Sequence, residues 1–117
     1  MLIRIDPSDR AALYEQVAAS VRGAVARGEV SPGDRLPTAR EVAASLDINM
    51  HTVLRAYQIL RDEGLIELRR GRGAVIADNA DRKAELTDAV DRAIEVARRL
   101  GLSMDSLVAS IRERSAQ

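Results

Sequence analysis

Residues 38–64, TAREVAASLDINMHTVLRAYQILRDEG, contain two apolar periodicities divided by a break. Thr38 followed three positions later by Glu41 is a capping-box pattern: the hydroxyl can accept from the Glu41 N–H while the carboxylate reaches back. The short helix it opens places Val42 and Leu46 one turn apart on one face. Asp47-Ile48-Asn49 interrupts it. A second helix is expected from about Met50 to Glu63, with Val53, Ala56 or Tyr57, and Leu60 facing inward and Gly64 as its stop. A short helix, a tight turn and a longer helix make a helix-turn-helix.

Working outward, Ile3 and Ile5 alternate with polar neighbours in a short extended piece before Asp6-Pro7. Leu13 or Tyr14, Val17, Val21 and Val25 recur at helical spacing between Ala11 and about Arg27, closed by Gly28, and Ser31-Pro32-Gly33-Asp34 reads as a turn. Downstream, Leu65–Leu68 and Ala74–Ile76 are short apolar runs flanking the loop Arg69–Gly73, the pattern of a hairpin. After Asp78-Asn79 the period changes. Leu86, Val90, Ala93 or Ile94, and Ala97 define an amphipathic helix of roughly 30 Å at 1.5 Å per residue, ended by Gly101. Ser103 can cap a last helix carrying Leu107, Val108 and Ile111. The expected fold class is therefore mainly α with a small β-hairpin.

Composition narrows the chemistry. The 117 residues suffice for one compact domain with an appended element. There is no cysteine, which excludes disulfides, thiolate metal sites and cysteine nucleophiles. The single histidine, His51, leaves little for a metal site or a His-based triad, so neither a metal nor a cofactor is expected. The carboxylates Asp62 and Glu63 are adjacent on a helix and point apart, which is poor geometry for acid–base catalysis, so an enzyme is not expected. The N-terminus lacks an apolar signal region and no run approaches a membrane span, so a cytoplasmic protein with no membrane partner is expected. Net charge is zero, but residues 35–72 hold seven arginines against five carboxylates. The local excess counts for more than the total.

Three features carry candidate chemistry. His51, Arg55, Gln58 and Asp62 form an outward stripe on the second helix, with Asn49, Met50 and Thr52 at its start. Such a stripe is most often a solvated face, but a recognition helix presents these residue types to base edges. Arg40 stands in the first turn of the short helix, where it opposes the helix dipole. It reads equally as a phosphate contact or as a salt bridge to Glu41 or Asp34. The third is Arg69-Arg70-Gly71-Arg72-Gly73. A dinucleotide-binding Gly-x-Gly must open a helix and carry a third small residue three positions on, whereas Ile76 and a strand follow here. A hairpin tip whose arginines neutralise phosphates is the better reading, with the glycines permitting a tight turn.

Several ordered segments then match a known pattern. Tyr14-x-Gln16-Val17, Gly28-x-x-x-Pro32-Gly33-Asp34-Arg35-Leu36-Pro37-Thr38-x-Arg40-Glu41-Val42-Ala43, Thr52-Val53-x-Arg55-Ala56-Tyr57, Glu63-Gly64-Leu65-Ile66 and Arg70-Gly71-Arg72-Gly73 resemble the winged helix-turn-helix of the GntR family of bacterial transcription regulators. The resemblance covers about residues 8–77. The Asn49–Tyr57 segment looks like the YtrA-type branch, and Met50 departs from the broad family at a position often filled by a base-reading arginine.

The resemblance implies an operator-binding homodimer, most simply a repressor, whose partner is double-stranded DNA. It implies DNA contacts from Arg35, Thr38 and Arg40, from the helix start Asn49, Met50, His51, Thr52 and Arg55, and from the wing residues Arg69, Arg70, Gly71, Arg72 and Gly73. Residues 1–78 would form the DNA-binding domain and 79–117 a two-helix dimerisation tail using Leu86, Val90, Ile94, Ala97, Leu107 and Ile111. So short a tail encloses little pocket, and the sequence leaves a small-molecule effector open. A winged helix that binds an acidic protein partner in place of DNA is the alternative, kept open by the zero net charge.

Overall fold

The computed structural model describes residues 1–116. Five helices and one hairpin follow in the order α1 (Leu13–Ala26), α2 (Ala39–Leu46), α3 (Met50–Asp62), β1 (Ile66–Arg69), β2 (Gly73–Ile76), α4 (Ala80–Arg99) and α5 (Met104–Ser115). The chain divides into two compact units, residues 1–85 and 86–117.

Within the first unit, α1 buries Val17, Ala18, Val21, Ala24 and Val25, which is the predicted three-and-four spacing. Its entry is held by Gln16, whose amide oxygen accepts from the Asp6 N–H at 2.6 Å and whose Nε2 donates to the Ala11 carbonyl at 2.9 Å. The Ile3–Ile5 segment forms no strand. Instead Ile3 is buried against the helices, and the Arg4 N–H donates to the Ser20 hydroxyl.

The helix-turn-helix is fixed at each boundary by a local bond. The Thr38 hydroxyl accepts from the Glu41 N–H at 3.1 Å, although no return bond from the Glu41 side chain forms. Asp47 takes the left-handed conformation (φ 55°), and the Ile48 N–H closes onto the Ala43 carbonyl, so α2 stops there. The Asn49 side chain caps α3 by accepting from the His51 N–H at 2.8 Å. At the far end Gly64 (φ +80°) permits two closing bonds, Gly64 N–H to Arg61 O and Leu65 N–H to Leu60 O. Val53, Ala56, Tyr57 and Leu60 are the buried face of α3, and they pack with α1 and α2 around one core.

The hairpin pairs Ile66 with Ile76 through Arg69 with Gly73 in antiparallel register. A third extended segment lies beside it. Arg35 bridges Val75, with Leu36 N–H donating to Ala74 O and Ile76 N–H to Asp34 O. The turn residues before α2 thus continue into an isolated bridge against β2. This long-range pairing leaves no periodic mark in the sequence, and it anchors the wing to the entry of the helix pair.

α4 begins inside the first unit, where Ala80 and Ala84 are fully buried. In the second unit α4 ends at Gly101 by the same closing bonds, and Ser103 caps α5 by accepting from the Ser106 N–H. α5 has no buried residue.

Candidate nucleic-acid interface

The N-terminus of α2, Leu54 and Tyr57 of α3, and the wing line one open cleft of about 720 Å³ that includes Arg35, Thr38, Gly71, Arg72 and Gly73. Arg40, the α3 residues Asn49, Met50, His51, Thr52 and Arg55, and the wing residues Arg69 and Arg70 do not line it. Thr38 is there because it caps α2, and the two wing glycines because the hairpin turn falls between β1 and β2. Gly71 and Gly73 hold φ values of +80° and +74°, and a Cβ at either would meet open space. A side chain there would pay for the left-handed backbone and would thicken the tip, even though nothing in the chain blocks it.

Arg35 joins the two halves of the cleft. Its Nε donates to the Arg72 carbonyl at 2.8 Å, leaving the terminal nitrogens of the fork for an anion. No sequence pattern points to this neighbour of Arg35, because the partner is a backbone atom 37 positions away. Of the other wing arginines, Arg69 lies near Glu67 (3.6 Å) and Asp78 (3.9 Å), while Arg70 and Arg72 form no ion pair among the described residues. Arg40 is exposed and also forms none, so the salt bridge to Glu41 or Asp34 entertained from the sequence is absent.

On α3, Asn49, Met50, His51 and Arg55 are exposed and Thr52 is half-buried. Arg55 does not project freely: its guanidinium stacks over the Tyr14 ring at 3.7 Å from the centroid. Such a stack orients the fork while leaving its edge available for hydrogen bonds. Leu54 also reaches the cleft, a position that the helical periodicity does not single out. An apolar residue on the solvent side of an amphipathic helix was the available signal.

Tyr57 positions the assembly. From the core face of α3 its hydroxyl donates to the Pro37 carbonyl at 2.6 Å, tying α3 to the residue before the α2 cap. Burial, with the Glu41 carboxylate nearby, pushes the phenol well above its ordinary value of 10.0. The unfolded chain therefore loses this proton first as pH rises, and the native state pays an increasing penalty above pH 10. Tyr57→Phe should remove that alkaline penalty, and at neutral pH should cost about 1 kcal/mol by stranding the Pro37 carbonyl. Chemical denaturation at pH 7 and at pH 10.5 checks both effects.

On the dimerisation candidates, Leu86, Val90 and Ile111 are exposed, Ile94 and Leu107 are half-buried, and Ala97 is already buried within its own chain (2% exposed). No cluster of three or more His, Asp or Glu able to hold a metal occurs among the described residues, and no helix there is long and apolar enough to cross a membrane.

The family model for bacterial regulatory proteins of the gntR family matches residues 13–76, the span from the start of α1 to the end of the wing. The chain is 42% identical over 79 residues to the HTH-type transcriptional repressor YtrA of Bacillus subtilis, covering 68% of this chain and 61% of that protein. It is 32% identical over 105 residues to the regulator YhcF of the same organism, covering 86% and 87%. Among solved structures, YtrA from Sulfolobus acidocaldarius, a GntR-family transcription factor, superposes with a TM-score of 0.63 at 37% identity, covering 81% of this chain and 99% of that one.

Proposed function

The chain belongs to the GntR family and is a transcriptional regulator with a DNA-binding helix-turn-helix; from that premise we propose that it acts as a homodimeric repressor of a palindromic operator in the cytoplasm. Each protomer places the start of α3 in a major groove and lays the wing on the flanking minor groove. Arg35, Arg40, Arg70 and Arg72 neutralise phosphates, while Asn49, Met50, His51, Thr52 and Arg55 face base edges. The observation that supports this reading is the bond from Arg35 to the Arg72 carbonyl, which ties the wing to the segment entering α2 and puts both arginines on one concave surface. The repressor assignment follows the named activity of the Bacillus subtilis relative.

Two-fold symmetry calls for half-sites about one helical turn apart, roughly 34–36 Å. A second copy is supported by α5, a 12-residue helix with no fully buried residue that leaves Met104, Val108 and Ile111 exposed. Isolated helices of that length are marginal. Residues 79–117 are accordingly assigned to dimerisation, beyond a DNA-binding segment ending near residue 78.

Arg72→Ala tests the interface, because it keeps the backbone carbonyl that Arg35 holds and removes the charged side chain beyond Cβ. In mobility shifts over a salt series, operator affinity should fall about tenfold and the log–log salt slope should drop by about one unit per protomer. Unchanged affinity and slope would remove the wing from the interface.

A further inference from the structure

The polar stripe on α3 does not account for its whole exposed surface. Met50 and Leu54 stand one turn apart at the helix start, 37% and 44% exposed, and neither belongs to the core. Leu54 opens into the cleft beside Arg35, Thr38 and Arg72. Its neighbour Arg55 is held over the Tyr14 ring of α1. The side chain that this part of the helix presents to the cleft is therefore an aliphatic one, in a lining that mixes Arg35 and Arg72 with Glu41, Leu36, Pro37 and Leu68.

Leucine offers no hydrogen bond and gains nothing beside a phosphate. Pressed against a guanine, cytosine or adenine edge, it would strip water from donors and acceptors that it cannot replace. The base edges of the major groove hold one apolar group, the thymine 5-methyl. We propose that Leu54 is a specificity-determining residue that packs on a thymine methyl, so that each half-site requires thymine at the base pair facing it. The proposal rests on α3 being the recognition helix. Removing one buried methyl contact should weaken binding about fourfold.

The test uses the full-length protein and its own selected DNA. Fragments bound from a random-sequence pool define the half-site. Each thymine in one half-site is then replaced singly by deoxyuridine, which removes the 5-methyl and leaves every hydrogen-bonding group. At one position this should weaken binding by the parent chain about fourfold, and Leu54→Ala should bind the thymine and uracil versions equally. The assignment is overturned if no uracil position affects the parent, if the penalty persists in Leu54→Ala, or if the half-site contains no thymine. Failure to select any DNA would instead remove the recognition-helix reading, and this one with it.

Discussion

Ending the chain after Glu85 is expected to yield a folded monomer that binds the operator at least about a hundredfold more weakly than the full-length protein. The cut falls there because Ala80 and Ala84 are fully buried in the first unit, and the Lys83 N–H donates to the Asn79 carbonyl. Stopping at residue 79 would remove core as well as tail and would confuse unfolding with loss of assembly. What the cut removes is mostly exposed apolar surface: Leu86 and Val90 on α4 are exposed, and α5 has no fully buried residue. If two tails join two protomers, the second half-site is met at a high effective concentration. The gain commonly reaches 10²–10⁴ with no new contact to DNA. Sedimentation gives the mass, circular dichroism the fold, and mobility shifts at fixed salt the affinity. A truncated chain that still sediments as a dimer would place the interface in the first unit.

The helix-turn-helix was legible because every boundary is set by a residue acting on near neighbours. Thr38, Asn49 and Gly64 each do in the structure what their side chain, or lack of one, dictates locally. Gly101 and Ser103 do the same between α4 and α5. The site was less legible, because its geometry is made by distant pairs. The Arg35–Val75 bridge beside β2, the Arg35 bond to the Arg72 carbonyl and the Arg55–Tyr14 stack join segments that share no sequence period. The basic character of the wing could be counted from the sequence; which of its arginines stand free of carboxylates could not. Leu54 was missed for a related reason. A helical pattern names the buried face well, but it treats an apolar residue just beyond that face as noise.

Leu60→Ala should be the most damaging single substitution on α3. Leu60 is fully buried where the helix packs with α1 and α2, one turn below Ala56 and Tyr57. Truncation loses its transfer free energy and leaves a cavity that a rigid helix cannot collapse, about 3 kcal/mol within the usual spread of 2–5. For a small domain each kcal/mol lowers Tm by roughly 4–8 °C, so a drop of roughly 15 °C is expected. Leu54→Ala, six residues earlier on the same helix, removes an exposed side chain and should stay within about 0.5 kcal/mol of the parent. Thermal melts of all three proteins at one protomer concentration decide it, since linked assembly makes Tm depend on concentration. A Leu60→Ala protein melting within a few degrees of the parent would mean that α3 is not seated as the core describes. The two leucines then separate two jobs on one helix. Leu60 should change stability without changing which bases are preferred by the folded fraction, and Leu54 should change that preference without changing stability.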